Sequence, residues 1–150
     1  MAKNEVPRDN LRTLTIGSET FELEASLGAG ITYANEFRGK VQAPYNGSLS
    51  NDMLTVWRRN QRTLGMDGEK VDNDDYSGID VEALLRIAWA MAVAAGSTKD
   101  GYERFVERII HQPAGVFEEA SLYDVVVLEL GGGIIFRQPE GQGGAEQADA

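Results

Sequence analysis

The stretch VEALLRIAWAMAVAA, which follows Asp80, constrains this chain more than any other. Leu84, Leu85, Ile87, Ala88, Trp89, Met91, Ala92 and Ala95 leave almost no polar face beyond Glu82 and Arg86. A helix that is apolar nearly all round belongs in the centre of a domain, with other elements packed around it. Asp80 stands where a capping carboxylate satisfies the first free N–H groups of such a helix, and Trp89 falls in its core. The chain of 150 residues is one domain's worth. It can bury roughly two-thirds of its unfolded surface, enough to enclose that helix.

The remaining elements supply the cover. Residues 1–10 are polar and read as a flexible lead-in. Across 11–25, alternating apolar positions on either side of Gly17-Ser18-Glu19 predict a β-hairpin, and a lone hairpin must rest on something else to be stable. Ile31, Ala34 and Phe37 are spaced as one face of a short helix that Gly39 closes, with the glycines of Gly28-Ala29-Gly30 serving the turn before it. A loop with Pro44 and Gly47 follows. Ser50 or Asn51 then caps a helix whose Leu54, Trp57, Gln61 and Leu64 share one side and whose Arg58, Arg59 and Arg62 form an exposed basic patch. Trp57 reads as core. Tyr102, Phe105, Val106, Ile109 and Ile110 mark an amphipathic helix over 100–112, with Glu103, Arg104, Glu107 and Arg108 facing water and Pro113 stopping it. The segment 116–130 is read as helix, although its valine run has strand-like composition. Gly131-Gly132-Gly133 breaks it as a flexible joint. The fold expected is α+β, mainly α: a small helical bundle with an N-terminal β-hairpin. A single domain spans 11–136, and 137–150 is a disordered tail by composition.

Charge narrows the chemistry. Acidic residues outnumber basic ones 24 to 14, for a formal net charge of -10. Neutralising phosphates needs clustered Lys and Arg, so the balance argues against nucleic acid and against an anionic membrane face. Much of the negative charge sits in an acidic loop, 67–78, where five acids stand against Lys70. A mimic of DNA would spread its carboxylates over a surface instead. There are no cysteines, which excludes disulfides, zinc ribbons and thiol nucleophiles. No stretch reaches the 18 or so apolar residues that a membrane span needs. The start of the chain has no apolar signal region, so a cytoplasmic location is expected.

Motif by motif, the catalytic inventory stays empty. After Gly28-Ala29-Gly30 the last position of a dinucleotide fingerprint is Tyr33, with no β-α-β alternation following. Gly131 to Gly133 lack the Lys-Ser/Thr of a phosphate loop. In the acidic loop, starting at Asn73 brings Gly78 into register for a calcium-binding loop, but Leu84 then falls where a bidentate Glu is required. His111 is the one histidine, and at a helix C-terminus it complements the dipole. The reading is of a protein that is not an enzyme and uses no cofactor or metal.

Two segments carry a resemblance. Ile31-Thr32-Tyr33-Ala34-Asn35-Glu36-Phe37-Arg38-Gly39-Lys40 and Leu84-Leu85-Arg86-Ile87-Ala88-Trp89-Ala90-Met91-Ala92, with the aromatic stretch from Tyr102 to Ile110 after them, resemble the tail assembly chaperones of long-tailed phages and prophages of Gram-positive bacteria. The likeness covers 11–130 and departs in the acidic insertion 67–78 and the valine-rich last segment. It implies a non-enzymatic protein of the host cytoplasm, absent from the mature virion, that binds and solubilises the tape measure protein while the tail tube assembles around it. The tail tube protein is then a second partner, and a homo-oligomer is compatible with the role. A structural virion component, either a head–tail connector or a minor tail protein, is the alternative. The apolar patch Ile134, Ile135 and Phe136 beside the glycine joint is the candidate partner-binding surface.

Overall fold

A computed structural model of the chain describes residues 10–64, 80–113 and 122–131, the side chains of 60–64 excepted. Its described residues form an α+β fold that is mainly α, with a two-stranded antiparallel hairpin leading into five helices. The acidic loop, the tail and the patch Ile134, Ile135 and Phe136 lie outside the described residues, as does the lead-in but for Asn10.

The hairpin pairs β1 (Leu11–Ile16) with β2 (Glu19–Glu24), in a register that sets Leu14 opposite Phe21 and Arg12 opposite Leu23. Two residues close it, and Gly17 takes φ +61, the left-handed conformation that tight hairpin turns require. Its inner face buries Leu14, Ile16, Phe21 and Leu23 against the helices, while Thr15 and Thr20 face out and share a hydroxyl contact of 3.1 Å.

Helix α1 (Leu27–Phe37) begins at a Ser26 cap that accepts from the Ala29 N–H. It buries Ala29, Tyr33 and Phe37. The face expected from Ile31, Ala34 and Phe37 is therefore rotated: Ile31 is 54% exposed. A three-residue apolar spacing on so short a helix fixes its face poorly, and Tyr33 offers more area to bury than Ile31 does. Gly28 and Gly30 sit inside the first turn of α1 and not in a turn before it.

Helix α2 (Leu49–Leu64) starts one residue before the caps expected at Ser50 or Asn51. It buries Leu49, Asp52, Met53 and Val56, with Trp57 packed at the edge of the core and Leu54 only partly covered. Arg58 and Arg59 are exposed, as read from sequence.

Helix α3 (Val81–Ala94) is the centre of the molecule: every residue from Ala83 to Ala92 is buried, and it touches α1, α2, β2 and the two helices that follow. Asp80 caps it as expected, accepting from Ala83 at 3.1 Å. Trp89 is buried, and its indole N–H donates to the Asp100 carbonyl at 2.9 Å. Arg86, expected on a polar face, is instead only 8% exposed.

Helix α4 (Tyr102–Ile109) is shorter at both ends than the expected 100–112. The last helix, α5, runs to Leu130, and its Asp124–Leu130 part is wound as a π-helix. The helical reading of this segment holds for the residues described. Val125, Val126, Val127 and Leu130 are buried, and Glu129 pairs with Arg12 at 3.1 Å, joining α5 to β1. Gly131 is no flexible joint. It is buried, and a Cβ there would lie 2.5 Å from the Met53 sulfur, so the glycine serves a close approach between α5 and α2.

Candidate functional site

Three places in the described structure bring polar or apolar groups together in a way that bears on function. The first is a buried polar knot. Asp52, fully buried in the first turn of α2, accepts hydrogen bonds from the Tyr33 hydroxyl (2.8 Å), the N–H groups of Asn46 (2.9 Å) and Gly47 (3.0 Å), and the Asn51 amide (2.8 Å). Gly47 is at φ +86, and a Cβ there would stand 2.6 Å from the Arg38 nitrogen. The α1–α2 loop can therefore fold back onto Asp52 only with glycine at that position. Tyr33 links the knot to Arg86 of α3, and burial raises its phenol well above the ordinary value, with the Asp52 carboxylate adding to the effect. Burial works against the charge on Arg86, but the Tyr33 hydroxyl beside it, together with Tyr102 and Glu82, more than offsets that and raises its pKa, so the guanidinium stays charged. Such a knot holds three helices in one arrangement. It offers no open position to a substrate.

Beside the knot lies a cleft of about 400 Å³ lined by Lys40, Gln42, Tyr45, Arg59, Asp80, Glu82 and Arg86 among others. The Arg86 guanidinium lies over the rings of Tyr45 (5.4 Å) and Phe37 (5.9 Å), and Arg59 covers Tyr45 from 5.9 Å. Burial, with the Asp80 carboxylate nearby, pushes the Tyr45 phenol up to about 12. Asp80 and Glu82 offset two of the three cations. The cleft is thus a nearly neutral junction, not an anion trap.

The third place is a groove of about 700 Å³ between α3 and α4. Val81 and Leu85 of α3, Tyr102 and Val106 of α4, and Ile110 just past its end form its apolar lining; Glu82, Glu103 and Glu107 stand on it as well. The broad apolar side of α4 divides here. Phe105 and Ile109 go into the core, whereas Tyr102, Val106 and Ile110, one turn apart from each other, line the groove, and Ile110 is 50% exposed. Tyr102 is also anchored from behind, by ring contacts to Phe37 (5.1 Å) and Trp89 (5.9 Å). Burial pushes its phenol up to about 12, with the Glu82 and Asp80 carboxylates acting in the same direction.

Three of the four charged side chains of α4 are sorted as well. Arg108 turns away from the groove to pair with Glu19 (2.8 Å) and Asp100 (2.9 Å), lying over Phe21. Glu103 and Glu107 stay on the groove side. His111 is exposed just beyond α4, its Nε2 3.6 Å from Glu107.

The sequence reading places partner binding at Ile134, Ile135 and Phe136, outside the described residues, and does not single out the residues that line this groove. A signal existed: five apolar residues on α4 make a stripe wider than one core contact uses. Asp52 left no comparable trace, because a carboxylate in the first turn of a helix also suits the dipole at the surface. The two segments that carry the family resemblance do meet: Phe37 and Trp89 rings lie 5.7 Å apart, with Arg86 beside them.

Comparison of the chain with family models, curated proteins and solved structures finds no match. Among the described residues no helix is long and apolar enough to cross a membrane.

Proposed function

We propose that this protein is a non-enzymatic tail assembly chaperone that binds and solubilises the tape measure protein while the tail tube is built. The observation that supports this reading is the open apolar groove between α3 and α4, formed by the helices that carry much of the resemblance to that family. A holding chaperone needs a shallow apolar surface able to take an amphipathic helix, with no oriented catalytic constellation. A net charge of -10 keeps a chaperone and its bound client apart from other complexes and in solution.

The test is a tagged pull-down from cells in which the encoding phage or prophage is assembling, with bound proteins identified by mass spectrometry and purified particles probed for the chain. Recovery of the tape measure protein, with the chain missing from finished particles, is the expected result. A chain that remains in the particles would make it a head–tail connector or minor tail protein instead.

A further inference from the structure

The groove between α3 and α4 has a chemistry that selects among helices. Its lining is aliphatic and aromatic, and among the described residues the charged side chains on it are Glu82, Glu103 and Glu107. These carboxylates are well exposed: the Glu82 side chain is 76% accessible and that of Glu107 is 68%. Glu82 lies 3.8 Å from Arg86, which is buried behind it. On α4, Arg108 is held on the opposite side by Glu19 and Asp100. Sorting of this kind is not needed for packing, since exposed positions of a helix tolerate either sign of charge.

An amphipathic helix laid in such a groove would place its apolar stripe on Val81, Leu85, Tyr102, Val106 and Ile110. The residues flanking that stripe would then come against the three carboxylates. Lysine or arginine there gains from each contact, and acidic residues are repelled. We propose that the groove docks a cationic amphipathic helix of a partner protein, one whose apolar stripe is bordered by Lys or Arg. This rests on the chaperone reading only in taking the client as the source of that helix.

The test uses the full chain and two labelled peptides of about 18 residues, long enough to form helix. Both carry the same leucine stripe, bordered by lysine in one and by glutamate in the other, and binding is followed by fluorescence anisotropy. The lysine-bordered peptide is expected to bind about tenfold more tightly at low salt, with the gap closing as salt screens the exposed charges. Ile110→Asp, at a half-exposed site where the fold does not depend on it, should abolish binding while leaving the unfolding curve in place. Glu103→Lys with Glu107→Lys should reverse the preference. Equal binding of both peptides, failure of the lysine-bordered peptide to bind, or a dimer of this chain that Ile110→Asp dissolves would each overturn the proposal. The two readings fail separately. Tape measure protein recovered equally by wild-type and Ile110→Asp chains would remove the groove and spare the chaperone. The expected peptide preference without recovery of that protein would do the reverse.

Discussion

Replacing Asp52 by alanine strips four donors of their acceptor at once. Two of them, the Tyr33 hydroxyl and the Gly47 N–H, make buried bonds and have no route to water. The bonds from Asn46 and Asn51 are only part-buried, so solvent can replace them. A buried donor left without a partner costs about 1–3 kcal/mol, and hydrogen bonds to a charged acceptor fall at the upper end. With two such buried donors orphaned, the expected loss for Asp52→Ala is about 3–5 kcal/mol. A domain of this size has about 5–15 kcal/mol in hand, so the variant should unfold at a visibly lower urea concentration. Intrinsic tryptophan fluorescence is the natural probe, because Trp89 is buried in α3. Tyr33→Phe removes one member of the network and should cost less. In the double variant the two losses should fall short of adding by at least about 1 kcal/mol, since both delete the same contact. A loss under about 1 kcal/mol for Asp52→Ala, or strict additivity with Tyr33→Phe, would refute the idea that this carboxylate organises the α1–α2 loop.

Two glycines should respond in opposite directions to alanine. Gly131→Ala drives a Cβ into the Met53 sulfur and the Val127 backbone, so a loss of at least about 2 kcal/mol is expected from urea titration. Gly30→Ala meets nothing within 4 Å inside α1, and should stabilise by about 0.5–1 kcal/mol through helix propensity and a less disordered unfolded chain. Alkaline pH should unfold the protein cooperatively. Tyr45 and Tyr102 ionise near 12 when folded against 10.0 when free, and Tyr33 is raised further. A phenol raised in the folded state contributes stability that is whole below pH 10 and is lost as pH climbs through 12. Absorbance of phenolate at 295 nm should therefore rise together with loss of helical circular dichroism; ionisation of all tyrosines at the free value, with the fold intact, would contradict the burial described.

The local pattern of residues carried a good deal of this structure. Asp80 and the apolar run after it identified a capped, central helix, because an all-round apolar helix has one stable place to go. Leu14, Ile16, Phe21 and Leu23 announced the inner face of the hairpin through their period of two. Phe105 and Ile109 followed from the amphipathic spacing of α4. These features are legible because each depends on the order of neighbours along the chain.

Other outcomes depended on which elements met. Ile31 lost its expected place in the core to Tyr33, because Tyr33 faces both Asp52 on α2 and Arg86 on α3. Arg86 reads as half of a small polar face, yet lies buried with its guanidinium over the Phe37 and Tyr45 rings and beside the Tyr33 hydroxyl. Gly131 reads as a hinge, and became a contact because Met53 comes from a helix some 80 positions earlier. The groove arose in the same way: α4 offers one broad stripe, and its packing on the core covers Phe105 and Ile109 while leaving Val106 and Ile110 partly open. Periodicity states that a helix has an apolar side, and the packing of its neighbours determines how much of that side they cover.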